Sequence, residues 1–125
     1  MPAQPESICI LDDDNSVLRS ITRLLYSEGL KATSFDRAED MLAHARTHAV
    51  LVAVLDVWMP DMSGLEVQAS LNKISPSTKV IVMTGRETPA IRAAALEAGA
   101  FAFVQKPFND EAFLFLIHQA LGSGR

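Results

Sequence analysis

The chain has one cysteine in 125 residues, so no disulfide can form within it. Cys9 lies in the apolar run Ser7-Ile8-Cys9-Ile10-Leu11 and is expected to be a small core residue. A reducing compartment fits that usage. The segment Met1-Pro2-Ala3-Gln4-Pro5-Glu6 lacks a basic region followed by an apolar stretch. No secretory signal is read there, and a cytoplasmic location is expected. No apolar run approaches the ~20 residues of a membrane-spanning helix, so no membrane role is expected. Lysine and arginine form no block and the net charge is -4, which argues against direct nucleic acid binding by this domain. Internal repeats and low-complexity segments are lacking. His44, His48 and His118 have no partner cysteine or acid at a metal-ligand spacing and are expected at the surface.

What remains is the composition of one globular domain, 49% hydrophobic and 21% charged. Residues 1–121 are assigned to it, and residues 122–125 (Gly-Ser-Gly-Arg) to a flexible tail or linker stub. A domain of this size can bury a core without disulfide or metal staples.

The stretch Val50 to Gly64 organises the rest. Val50 to Leu55 is an unbroken aliphatic run that suits a strand buried on both faces. It ends on Asp56, and Pro60 and Gly64 then punctuate a loop. Asp56 is therefore expected at the carboxyl end of a central strand, where open α/β sheets bind ligands.

Other strands are read at Ser7 to Leu11, Lys31 to Phe35, Lys79 to Met83 and Phe101 to Val104. Between them, Val17, Leu18, Ile21, Leu24 and Leu25 recur at helical spacing over Asn15 to Glu28, with Gly29 as a stop. Ala38 to Arg46 is a short helix that starts near Asp36 or Arg37. Gly64 to Ile74 is the next, broken by Ser75-Pro76-Ser77. Thr88 as cap and Pro89 at the first position begin a fourth, which Gly99 stops. Asn109 or Asp110 caps a fifth that reaches Leu121. Strand and helix alternate five times, which predicts an α/β fold with a parallel sheet, right-handed crossovers and helices on both faces.

The first polar residues after these strands are Asp12 and Asp13, Asp56, Thr84, and Lys106 after Gln105. In a parallel sheet they share one edge. Carboxylates packed together repel, and a hard cation such as Mg²⁺ relieves that repulsion through oxygen ligands. A lysine and a hydroxyl beside them suit phosphoryl oxygens, and a carboxylate can itself become an aspartyl-phosphate. Taken singly, each residue has a plainer role: Asp14 a helix cap, Asp12 and Asp13 solvated loop acids, Thr84 turn chemistry, Lys106 a surface cation. Their joint placement points to a phosphoryl-transfer site.

With L-D-D-D after strand one, L-D-V-W-M-P-D-M-S-G at the centre, V-M-T-G after strand four and G-A-F-A-F-V-Q-K-P-F at strand five, the chain resembles the receiver domain of bacterial two-component response regulators. The resemblance covers roughly Ser7 to Leu121. It implies a flavodoxin-like five-stranded sheet of order 2-1-3-4-5. Asp56 is then the phosphoacceptor for a sensor histidine kinase. Asp13 binds Mg²⁺ directly, Asp12 helps to hold it, and Asp56 and the Trp58 backbone carbonyl complete the protein ligands. Lys106 pairs with Asp56 and the phosphoryl group. Thr84 bonds the phosphoryl oxygen in the active state, Phe103 is the switch aromatic, and the Lys106-Pro107 bond is cis. The resemblance also gives Trp58 and Arg86 influence over phosphoryl lifetime, with Trp58 shielding the site.

The same resemblance implies a regulatory phosphoacceptor rather than an enzyme, one that assists its own phosphorylation and dephosphorylation. Output through helix four, strand five and helix five is expected, with phosphorylation-dependent homodimerisation. The surplus of apolar residues on the last helix fits such a face. Control of transcription through an effector domain outside these residues is expected; the alternative is a stand-alone receiver acting as a protein-protein interaction or phosphorelay module. A flavin module would need a Ser/Thr/Gly-rich loop where Asp12 to Asp14 stand. A haloacid-type phosphatase would want an acid at Trp58. A receiver-like domain that only binds partners usually lacks the acceptor or the lysine, and both are present.

Overall fold

A computed structural model describes residues 8–86 and 88–122. The readings at Ser7 and at residues 123–125 lie outside the described residues. Strands and helices alternate as β1 (Ile8–Leu11), α1 (Asn15–Ser27), β2 (Ala32–Phe35), α2 (Ala38–Thr47), β3 (Val52–Asp56), α3 (Gly64–Ile74), β4 (Lys79–Thr84), α4 (Pro89–Glu97), β5 (Ala102–Gln105) and α5 (Asp110–Leu121). All five strands are parallel and follow the order β2-β1-β3-β4-β5. The flavodoxin-like expectation holds, and the chain switches direction across the sheet between β1 and β3.

Period-two alternation divides the core into two layers. Ile8, Ile10, Val52, Val54, Ile81 and Met83 meet the apolar stripes of α1 and α5. Cys9, Leu11, Ala53, Leu55, Val80 and Val82 meet α2, α3 and α4 on the other side. Phe113 of α5 is fully buried and stacks on Phe108, centroids 4.6 Å apart. Burying such a side chain contributes about 1.5–3 kcal/mol. Cys9 is a core residue as expected; burial pushes its thiol up to about 12. Of the histidines expected at the surface, His44 is half-buried, between the rings of Phe35 and His48.

The helix starts follow from local chemistry. Asp14 caps α1 through the Ser16 amide, Thr88 caps α4, and Asn109 caps α5. Ser63 and Glu66 form a reciprocal capping box on α3. In α2 the capping position is Arg37, whose side chain makes no cap bond. Asp61, in the loop after β3, accepts from the Ala38 amide instead (3.1 Å). The central loop thus fastens a second helix. Gln68 and Asn72 of α3 donate to the Ala95 and Ala98 carbonyls at 3.0 and 2.9 Å, which ties α3 to the carboxyl end of α4.

Candidate functional site

Asp12, Asp13 and Asp56 stand at the carboxyl ends of β1 and β3, and their carboxylates each offer an oxygen within 4.8 Å of the others. Asp12 and Asp56 are buried and Asp13 is exposed. Adjacent strands in register bring the first two together: Leu11 pairs with Leu55, so the next residues emerge side by side. One oxygen of Asp12 accepts from the Asp14 amide (2.9 Å) and the other from Lys106 Nζ (2.9 Å). The same ammonium lies 3.2 Å from Asp56 Oδ1. Residues 94 apart in sequence thus share one charge-assisted hydrogen bond.

The main chain holds Lys106 in place. Thr84 pairs with Gln105 across β4 and β5, and the Lys106 amide donates to the Thr84 carbonyl at 2.7 Å. The Lys106-Pro107 peptide is cis, as expected. A recess between α1 and this segment, lined by Val17, Leu24, Pro107 and Phe108 among others, opens beside Lys106.

Electrostatics at this edge follow from burial. Asp56 is raised from 3.8 to about 6, first by burial, then by the neighbouring Asp12 charge, with Lys106 acting in the opposite direction. For Lys106, burial disfavours the ammonium, but the Asp12 hydrogen bond and the Asp56 charge outweigh it and the pKa is raised. The edge therefore carries three acids and one base, an excess of negative charge on oxygen-only donors. That donor chemistry fits a hard divalent cation.

Thr84 is fully buried at the end of β4. Its hydroxyl donates to the Arg86 carbonyl (3.0 Å) and accepts from the Arg86 amide (3.0 Å). Thr84 therefore makes the turn bonds that its plainer reading gives. Phe103 is half-buried against the α2–α4 layer, with the Arg92 guanidinium 5.3 Å from its ring. Trp58, in the loop after β3, is 45% exposed. Its indole N–H donates to the Arg86 carbonyl at 3.3 Å, and the Arg86 guanidinium lies 4.8 Å over its ring. The resemblance named Trp58 and Arg86 together for phosphoryl lifetime, but the sequence did not show that Trp58 and Thr84 both bond to the Arg86 main chain. The register could have done so, because Asp56 pairs with Met83 and two further residues on each strand are Trp58 and Gly85.

The family model for the response regulator receiver domain matches residues 8–118. The response regulator protein TodT of Pseudomonas putida is 39% identical over 114 residues, 91% of this chain and 50% of TodT. The transcriptional regulatory protein FixJ of Azorhizobium caulinodans is 37% identical over 120 residues, 94% of this chain and 57% of FixJ. The chain spans about half the length of these curated relatives. Among solved structures, the beryllofluoride-activated NtrC4 receiver domain dimer superposes with a TM-score of 0.90 at 30% identity, covering 95% of this chain and 98% of that one. No helix among the described residues is long and apolar enough to cross a membrane. Parallel strands in the order 2-1-3-4-5, acids gathered on one sheet edge and a match over residues 8–118 converge, and the chain belongs to the receiver domains of two-component response regulators.

Proposed function

We propose that residues 1–121 form one receiver domain that accepts a phosphoryl group on Asp56 from a phosphohistidine of a sensor histidine kinase. The observation that carries this is Lys106 Nζ lodged between Asp12 and Asp56. A carboxylate oxygen of Asp56 attacks phosphorus in line; the new P–O bond forms as the P–N bond to the donor imidazole breaks. With its pKa at about 6, Asp56 is ionised at neutral pH and able to attack. Lys106 follows the charge onto the phosphoryl oxygens. Asp12, Asp13, Asp56 and the Trp58 carbonyl would hold Mg²⁺, which when bound supplies neutralisation of the transferred group's charge. Thr84 then turns its hydroxyl to a phosphoryl oxygen, and Phe103 moves with it as a two-state element biased by local charge. Incubation with acetyl phosphate and Mg²⁺ is expected to add the mass of one phosphoryl group to the intact protein, and Asp56→Asn to add none. Equal labelling of both proteins would sink the assignment.

Output is assigned to α4, β5 and α5. Leu96, Phe101 and Phe115 are 46%, 38% and 62% exposed around the sheet edge that β5 forms. Apolar groups left in water at one edge favour a partner surface, and the NtrC4 relative is described as an activated dimer. Phosphorylation-dependent homodimerisation through this face is the expected result in sedimentation with beryllofluoride and Mg²⁺. Phe115→Glu is expected to keep the activated protein monomeric; a wild-type chain that stays monomeric at high concentration overturns the dimer. Because FixJ is a transcriptional regulatory protein of nearly twice this span, the regulated output is assigned to transcription, through an effector segment beyond these residues.

A further inference from the structure

We propose that Trp58 and Arg86 form a clasp that keeps the Thr84 hydroxyl on the Arg86 main chain and withholds it from the phosphoryl group; this rests on the phosphoacceptor reading above. A hydroxyl has one proton to donate. In this structure the Thr84 proton goes to the Arg86 carbonyl. That carbonyl has two lone pairs, and the Trp58 indole N–H takes the other. Arg86 is thereby held at three points: its amide by Thr84 Oγ1, its carbonyl by Trp58 Nε1, and its guanidinium by the face of the Trp58 ring.

Burial makes the competition sharp. Thr84 is 0% exposed, so its hydroxyl cannot turn to water and must always have a protein or phosphoryl acceptor. Two acceptors compete for one proton, the Arg86 carbonyl and the phosphoryl oxygen. Trp58 favours the first, because it fixes that carbonyl where Thr84 reaches it. The arrangement also accounts for a large aromatic side chain left 45% exposed at the mouth of the site, where a stacked guanidinium partly covers it. Trp58 is thus a positioning residue that acts on the phosphoryl group through Arg86 and Thr84. Removing its N–H frees the Arg86 loop and lowers the opposition to the switched state. One hydrogen bond or one exposed cation–π contact corresponds to roughly a 3- to 10-fold change in that balance.

The test has two arms. Trp58 is the only tryptophan of the chain, so its emission reads the clasp in the free protein. Arg86→Ala is expected to shift that emission to the red; an unchanged spectrum overturns the clasp without reference to phosphoryl chemistry. In the second arm, calorimetric titration of the full chain with beryllofluoride and Mg²⁺ follows a phosphoryl mimic. Trp58→Phe, which keeps a ring and loses the N–H, and Arg86→Ala are each expected to bind it roughly 3- to 10-fold more tightly than wild type. The gain must vanish without the hydroxyl: Thr84→Val with Trp58→Phe is expected to bind as Thr84→Val alone. Unchanged affinity in Trp58→Phe, or a gain that persists in the Thr84→Val background, overturns the proposal. Wild-type protein that binds no mimic instead overturns the phosphoacceptor reading, while the emission arm still decides whether the clasp exists.

Discussion

Exchanging Lys106 for methionine is expected to weaken the metal-free protein by about 2–3 kcal/mol near pH 7.5 and by much less near pH 4.5. The ammonium lies 2.9 Å from Asp12 and 3.2 Å from Asp56, and both acids are buried. Methionine keeps the bulk of the side chain and removes the charge. Two buried carboxylates then face each other, with Asp13 beside them and no compensating cation. Loss of one member of a fully buried pair costs about 3–5 kcal/mol. The lower figure applies here because the Lys106 side chain is 22% exposed, so water screens part of the interaction.

The pH dependence follows from the direction of each shift. Asp56 has a folded pKa of about 6, above its ordinary 3.8, because burial and then Asp12 oppose its ionisation. Its ionisation in the folded state is thus a destabilising load. That load is absent below pH 3.8, grows as pH rises through 6, and is complete above it. Without Lys106 the load is larger and its window extends upward. Lys106 has a raised pKa, so its contribution is fully present below its ordinary 10.5 and is lost only as pH rises through the folded value. Between pH 4.5 and 7.5, therefore, Lys106 keeps its charge while Asp56 changes its own. Urea unfolding in a chelator at the two pH values measures the difference. Equal loss at both would mean that the methylene stem of Lys106 matters more than its charge.

The sheet edge was legible in the sequence because strands announce themselves locally. Ile8 to Leu11, the run before Asp56 and Val80 to Met83 are apolar on both faces, and the residue that breaks each run belongs to the site. Boundaries shifted where tertiary pairing decided them. Val50 and Leu51 looked like strand but precede β3; the Thr78 hydroxyl and the Lys79 amide take their carbonyls in the turn into β4. Phe101 likewise precedes β5, with its amide bonded to the Val80 carbonyl and its ring 38% exposed.

Contacts that leave no periodic trace stayed hidden. Asp61 looks like an ordinary loop acid, yet it caps α2 from 23 residues away. Lys106 was expected beside Asp56, but its bond to Asp12 depends on how far the loop after β5 lets the side chain reach. Trp58 was expected to shield the site; that its indole N–H and ring both engage Arg86 left no trace in the sequence. Asn72 reads as one more polar residue on an exposed helix face, although its amide holds the end of α4.

Gly64→Ala is expected to cost about 3 kcal/mol or more, at or beyond the upper end of the usual overpacking range. The reason is space. Gly64 does not have a positive φ, so alanine could adopt its backbone conformation. A Cβ there would collide with the Asp56 carbonyl oxygen and lie 2.9 Å from both the Asp56 carbonyl carbon and the Val57 Cα. All three are main-chain atoms, which cannot swing aside as a flexible side chain can. The Gly64 amide also donates to the Val57 carbonyl at 3.0 Å, pressing the first turn of α3 onto the end of β3. To accept a methyl group, the helix must back away or the strand end must bend. Either movement displaces Asp56 from Lys106, and a misplacement near 1 Å can lower a rate by about 10²-fold. Phosphorylation by acetyl phosphate is therefore expected to slow by that order, even at temperatures where the variant is still folded. Gly85→Ala is the matched control: a Cβ there meets nothing within 4 Å, and its φ is not positive. It is expected to stay within about 0.5 kcal/mol of wild type. Urea midpoints and intact-mass time courses on the two variants separate the outcomes. Stability and labelling rate at wild-type levels in Gly64→Ala would mean that α3 can retreat from β3 without moving the acceptor, and that the glycine is not what fixes the carboxylate beside Lys106.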